Sequence, residues 1–340
     1  MKTFLALLLA RNKEFYRDRA SISWAVILPV IIIMAVSVAF SGRDQQLFKI
    51  GLLAQASTQN VARVVLSDAL QKNYIEVVTI QDQEKALTRV RHHQFDLLLQ
   101  QTESGWRYWI NDNAAKGEVL QALLLVSAPQ AHKETVSGRA VRYIDWAMPG
   151  VLGMNIMFGA LFGVGYVIVR YRKMGVLKRL QATPVTAFQF LSAQLISRLL
   201  IITVVSGMIF VGCDIFLDFL MLGSYFLLFI IALLGGFSMI ALGLIVSSRT
   251  DNEELAGGLL NVASYPMLLL SEVWFSLDGA PQWMKTAAQV LPMTHMLDAA
   301  RAVMLEGAGW RDVSVHLLVM AVMSVVFLSI AAVMFRWGKN

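Results

Sequence analysis

Six stretches of the chain are apolar for roughly 18 residues or more, enough to cross ~30 Å of hydrocarbon at ~1.5 Å per helical residue. They are residues 22–40, 148–169, 191–211, 219–246, 255–275 and 313–335, and each predicts a transmembrane helix. Between the first two the period shortens. "FKIGLLA", "YIEVVTI", "FDLLLQ" and "WRYWIN" read as strands. "NVARVVLSDALQKN", "DQEKALTRVRHHQ" after an Asp82 cap, and "AAKGEVLQALLLVSA" read as helices, with a turn at Ser104 and Gly105. Residues 41–145 are thus expected to form one small α/β domain inserted between membrane helices.

Two further stretches are apolar only at helical spacing. "FLALLLARNKEFYRDR", within residues 1–21, is apolar at one end and charged at the other, the pattern of a helix lying in the membrane interface. After the fifth run, "GAPQWMKTAAQVLPMTHMLDAARAVMLEGAGW" is too polar to span. Its apolar positions Trp283, Ala287, Val290 and Leu291, then Met296, Leu297, Ala300 and Val303, predict two short helices separated at Pro292. Such a pair re-enters a membrane only where its backbone ends are buried in protein or wet. The expected fold is therefore a membrane α-helical protein. It has an N-terminal interfacial helix, six transmembrane helices, re-entrant helices after the fifth span and the inserted domain, with residues 146–340 carrying five of the spans.

Composition agrees: 57% of residues are hydrophobic and 15% charged, with a mean hydropathy of +0.60. The first run exceeds the ~7–15 residues of a signal-peptide core and lacks an A-x-A site, so it is expected to remain as a span. Lys2, Arg11, Lys13, Arg17, Arg19, Arg170, Arg172, Lys173, Lys178, Arg179, Arg249, Arg336 and Lys339 fall on one side of the resulting topology. Lys285, Arg301 and Arg311 fall on the other. The positive-inside bias puts both termini in the cytoplasm and the 41–145 domain outside. The net charge of +6 then reflects topology, and nucleic acid is not an expected partner.

No phosphate-binding loop, G-x-S-x-G, H-E-x-x-H or Cys/His cluster occurs, so neither an enzyme nor a metal or cofactor site is expected in this chain. His92 and His93, adjacent on the predicted helix, diverge by about 100° and do not chelate. Asp214 and Asp218 read as interfacial charges, and "RTDNEE" as a solvated turn. Gly159 and Gly163, four apart, allow close helix packing, as do Gly235, Gly236 and Gly243. Glu272 lies near the outer end of the fifth run, where a carboxylate facing lipid is costly, making it a candidate for an outer gate or cavity and equally for a residue reaching the interface.

"LPMTHMLDAARAVML" resembles the L-P-x-T-x-x-x-x-x-x-R signature of the ABC exporter permeases of the second type, on Leu291, Pro292, Thr294 and Arg301. In the same order, "RNKEFYRDRASISWAVILPVIIIM" resembles that family's amphipathic leading helix and first span, and "RKMGVLKRLQATPVTAFQFLSAQL" its first cytoplasmic loop. The inserted domain is similar to that of the long-loop subgroup. The pattern departs at Lys173 and Met174, where the family carries an acidic residue before Gly175, and at Glu272 and Ser276.

The resemblance implies a bacterial inner-membrane subunit that exports a hydrophobic or amphiphilic substrate. ATP and magnesium would be held by separate ABC ATPase subunits, and a second permease copy or close paralogue would complete the path. Membrane lipid surrounds it, and the outer domain is open to a periplasmic adaptor. It also implies an ATPase-coupling helix over Gly175, Val176, Leu177, Lys178, Arg179, Leu180 and Thr183, stopped by Pro184. Here Val176, Leu177 and Leu180 would offer apolar anchors, and Lys178 and Arg179 would pair with acidic groups. Arg170, Arg172 and Lys173 need no role beyond orientation. The alternative is a membrane-anchored receptor or scaffold working through the outer domain, which needs neither the loop nor the re-entrant pair.

Overall fold

A computed structural model of the chain describes residues 2–40, 48–53, 75–80, 83–102, 105–112, 114–277 and 280–335. The helix expected at 60–73, the Asp82 cap and Ser104 lie outside the described residues. Two compact units form, Met1–Ala39 with Tyr143–Asn340, and Phe40–Arg142.

The smaller unit holds strands β1 (Phe48–Leu53), β2 (Ile75–Ile80), β3 (Leu97–Thr102), β4 (Gly105–Asn111) and β5 (His132–Val136), with helices α3 (Gln83–Arg91) and α4 (Ala115–Ser127). The sheet order is β2-β1-β3-β4-β5, parallel except between β3 and β4. Alternation along the strands sorts the core onto two faces. Ile50, Leu52, Leu97, Leu99, Tyr108 and Ile110 pack with Leu120 and Leu124 of α4. Leu53, Leu98 and Trp109 pack with Phe95 and with Ala86 and Val90 of α3.

One strand was not expected, and one expectation is corrected. Strand β5, "HKETV", carries no apolar alternation, because it is an edge strand held by its parallel pairing to β4. His92 and His93 are not helical: α3 ends at Arg91, whose carbonyl accepts from Asn111 Nδ2 at 2.7 Å, and His93 turns the chain at φ +55°.

The larger unit is helical: α1 (Lys2–Arg17), α2 (Arg19–Phe40), α5 (Tyr143–Lys173), α6 (Val176–Gln181), α7 (Ala187–Leu217), α8 (Tyr225–Ser247), α9 (Glu253–Leu270), α10 (Gln282–Ala288), α11 (Pro292–Glu306) and α12 (Trp310–Met334). Among the described residues four helices are long and apolar enough to cross a membrane: α5 and α7 at 31 residues, α8 at 23 and α12 at 25. Six were expected. The first expected run falls on α2, whose described apolar part is Ala25–Ser37. The fifth falls on α9, which stops at Leu270 because the chain leaves the helix and Glu272 adopts φ +56°. The fourth run begins later than its hydropathy: Asp218 ends α7 at φ +48°, and α8 starts only where Ser224 accepts from the amide of Leu227.

Helix α11 lies inside the bundle against α5, α8 and α12, with Met293, Met296, Leu297, Ala300, Val303 and Met304 buried. Small residues on its neighbours make the room. A Cβ at Gly235 of α8 would stand 2.4 Å from Met296 Sδ, and one at Gly153 of α5 would stand 2.6 Å from Leu297 Cδ2. Gly243 behaves as expected of a small packing residue, meeting the backbone of Leu161 across the α5–α8 contact. Gly159 and Gly163 do not bring two backbones together: a Cβ at Gly163 would fall 2.0 Å from the Arg198 guanidinium, and one at Gly159 would fall 2.9 Å from Ile202.

Gly235→Leu should therefore displace α11 and destabilise the protein by about 1–3 kcal/mol, the usual cost of overpacking. Gly212→Leu, where an added Cβ meets nothing within 4 Å, should change little. Melting temperatures of the two variants in the same detergent check this.

Candidate functional site

The connection between α5 and α7 is built on a chain reversal. Gly175 takes φ +69°, a left-handed conformation that a side chain disfavours, and α6 follows it for six residues. The helix is shorter than the 175–183 expected. Thr183 lies beyond it, closing the turn by donating to the carbonyl of Leu180 at 2.6 Å, and Pro184 follows exposed.

Leu177 is fully buried in the bundle core, and Leu180 and Val176 are half-buried. This revises the expectation that Leu177 is offered to a partner: it fastens α6 to its own bundle. What faces away is Lys178, Arg179, Gln181 and, from the first turn of α7, Phe188 at 78% exposure. Thr186 and Gln189 form a reciprocal capping box that fixes the start of α7 directly after this surface.

The last turn of α5 is held from three directions. Tyr171 contacts Glu14 of α1 through its hydroxyl, beside Arg11, which in turn donates to the carbonyl of Gly163 at 3.2 Å. Arg172 donates to the carbonyls of Ser247 at 2.7 Å and Ser248 at 2.9 Å, and also to that of Thr250, so it caps the C-terminus of α8. Lys173 pairs with Glu253 at 3.3 Å, and Tyr166 donates to the same carboxylate at 2.8 Å. Orientation alone thus understates Arg172 and Lys173. "RTDNEE" is more than a solvated turn: Asn252 caps α9 by accepting from the amides of Glu254 and Leu255.

Arg198, unremarked in the sequence reading, sits within α7 and donates through Nε to the carbonyl of Gly159 at 2.5 Å, with Phe15 of α1 5.6 Å from its guanidinium. Its signal was available: a lone cation inside an apolar run demands a partner. Asp214, taken as a solvated charge, accepts from the amide of Phe219 at 3.1 Å and helps close α7.

A second constellation surrounds the turn between α9 and α10. Arg301 donates to the carbonyl of Glu272 at 2.5 Å and to that of Trp146 at 3.2 Å, and stacks 3.9 Å from the Trp146 ring centroid. Its Nη1 lies 3.7 Å from the Glu272 carboxylate, which itself accepts from the amide of Leu277 at 2.9 Å. Thr294 meets Ser271 at 2.9 Å, and Tyr143 donates to the carbonyl of Trp274 at 2.5 Å. Leu291 is half-buried against the core, and Pro292 opens α11 where its missing N–H leaves nothing unpaired.

Of the signature residues, Thr294 and Arg301 therefore converge on the irregular segment at Ser271 and Glu272. Glu272 stabilises its own turn and also borders a recess of about 200 Å³ with Lys285, Gln289, Thr294 and Asp298. Beside it His295 donates through Nε2 to the carbonyl of Gln289 at 2.8 Å, and its Nδ1 shares a hydrogen bond with His316 Nδ1 at 3.1 Å. No group of three or more metal-binding side chains gathers among the described residues.

The family described as "ABC-2 type transporter" matches residues 106–305, a span that contains α6, the last turn of α5 and the Arg301–Glu272 pair. The chain belongs to this family. Over 186 residues it is 26% identical to the inner membrane transport permease YhhJ of Escherichia coli, covering 54% of this chain and 49% of that protein. Over 194 residues it is 23% identical to the probable multidrug ABC transporter permease YbhR of the same organism, covering 57% and 53%. Over 100 residues it is 31% identical to the daunorubicin resistance ABC transporter permease protein DrrB1 of Streptomyces coeruleorubidus, covering 29% and 34%. The chain spans about half the length of the first of these relatives. It is a multi-pass membrane protein of the ABC-2 type.

Removing Arg301 from this ABC-2 bundle leaves two carbonyls and a partly buried carboxylate without their cation. Arg301→Ala should lower the unfolding free energy by about 3 kcal/mol. Glu272→Gln, which keeps the carbonyl contact, should cost less than about 1 kcal/mol. Denaturant titrations in mixed micelles separate the two.

Proposed function

We propose that this ABC-2 protein is the membrane-spanning subunit of an exporter whose ATP is hydrolysed on a separate ABC ATPase subunit, which holds the nucleotide and magnesium, and that α6 is where the two meet. One observation carries the reading. A six-residue helix too short to be stable alone is fixed at both ends, by Gly175 and the Thr183 turn, and anchored by buried Leu177, while Lys178 and Arg179 remain exposed. Such a helix is a rigid handle with a cationic outer face. A push on it moves α5 directly, reaches α1 through Tyr171 and Glu14, and reaches the α8–α9 connection through Arg172. Closure of an ATPase dimer would in this way shift the bundle between two states that differ in affinity for it.

The remaining parts follow. Helices α2 and α9 complete six spans, α6 and both termini lie in the cytoplasm of a bacterial inner membrane, α10 and α11 re-enter from the outer side, and the sheet unit is extracytoplasmic, where it is open to a periplasmic adaptor. A second copy or close paralogue would meet the outward stripe of α9, where Leu259, Val262, Tyr265 and Leu269 are exposed beside the open surface of Gly258. The names of the multidrug and daunorubicin resistance relatives support a hydrophobic or amphiphilic cargo for this chain too.

The test is co-expression with the ATPase subunit encoded nearest to this chain, followed by affinity purification through the permease. Reversing both exposed cations, with Lys178→Glu and Arg179→Glu together, should cut recovery of the ATPase by about tenfold or more without changing the melting temperature. Arg172→Ala should keep the ATPase bound yet lower transport per ATP, because the link to α8 is lost. A wild-type chain that retains no ATPase would return the protein to the receptor or scaffold reading.

A further inference from the structure

We propose that the cleft enclosed by α5, α7, α8 and α11 is a lipid site that takes one acyl chain of a phospholipid from the surrounding bilayer. This rests on the membrane embedding of the chain and not on the export reading, since it requires neither cargo nor ATPase.

The cleft has a cavity volume of about 240 Å³. An engineered apolar cavity of ~150 Å³ already binds benzene, so a space of this size is ample for a stretch of hydrocarbon. Its lining holds no charged residue, and Thr203 and Ser206 are its only hydroxyls apart from Tyr225 at the rim. Ser206 is engaged by Asn155 of α5 at 3.5 Å. A polar solute would find nothing to replace its hydration.

The mouth decides the source of the guest. Gly207 and Val211 of α7 and Phe229 of α8 border it and are exposed on the outer surface of two spanning helices, which in a bilayer faces hydrocarbon. Tyr225 stands at the same rim in the first turn of α8, an amphipathic ring at a helix end, where the membrane interface and a phospholipid's polar part would lie. The floor is α11, through Met296, Leu297, Ala300 and Met304, and methionine side chains adapt to a guest of variable shape. An acyl chain there would touch the helix that carries Thr294 and Arg301.

Photolabelling tests this. The full chain is purified, reconstituted into phosphatidylcholine vesicles containing a phosphatidylcholine with a mid-chain diazirine, irradiated, digested and analysed by mass spectrometry. Adducts are expected on the α11 peptide containing Met296 and Met304, together with the lipid-facing positions Val322 and Val326 of α12. In Gly207→Leu, where an added Cβ meets nothing within 4 Å, the α11 adducts should fall several-fold while those on α12 persist. Ala232→Leu, which narrows the cleft from α8, should do the same. Labelling of α12 without α11 in the wild type would overturn the proposal, as would undiminished α11 labelling in both variants at an unchanged melting temperature.

Discussion

Backbone carbonyls buried in a membrane bundle have no water to turn to, and two breaks in the helices of this protein stand where a side chain supplies the missing donor. Two arginines do this. Arg172 takes up the carbonyls that end α8, and Arg301 that of Glu272 together with that of Trp146, while Arg198 uses the carbonyl of Gly159, inside α5, to satisfy its own buried guanidinium. The planar guanidinium suits the task because its fork of N–H groups reaches more than one carbonyl while staying charged. Lysine, a compact and strongly hydrated point charge, lacks the fixed fork that here spans Ser247, Ser248 and Thr250.

The same constraint explains why α11 is short and central. A helix that starts and stops within the bundle exposes both of its ends, and each is met locally. Pro292 removes one amide at the start, Gly307 turns left-handed at φ +68° to close the other end, and Arg301 stabilises the turn opposite. Its apolar sides then fit only because Gly153 and Gly235 leave space for Leu297 and Met296. Signature residues and small residues on distant helices are thus parts of one packing arrangement, although the sequence separates them by dozens of positions.

Much of this was legible beforehand. Hydropathy located α5, α7, α8 and α12, because length and apolarity are read directly from composition, and the break at Pro292 followed from the missing amide. The α6 helix and the signature were recognisable as motifs. Burial within them was not, since periodicity over six residues cannot say which side of Leu177 faces home. The left-handed turns at Asp218 and Glu272 were invisible for another reason: neither residue is glycine, so tertiary contacts impose the conformation. Strand β5 escaped because its pairing with β4 rests on the backbone ladder and on Glu134, which accepts from Trp109 Nε1 at 2.6 Å, and not on apolar alternation. Arg198 was passed over, and Gly163, expected to serve close helix packing, instead leaves the space its guanidinium fills.

Charge alone therefore does not mark a docking surface in this protein. Between Arg170 and Arg179 five basic residues share a short segment, and by charge alone each has the same topological meaning, although the resemblance sets Lys178 and Arg179 apart. Their surroundings divide them. Arg172 is buried on the carbonyls of α8, and Lys173 is paired to Glu253, whereas Lys178 and Arg179 project from a helix whose only buried residue is Leu177. In the coupling proposed for α6, Lys178 and Arg179 would receive the push of a partner, and Arg172, engaged on α8 across the turn at Gly175, would pass it on.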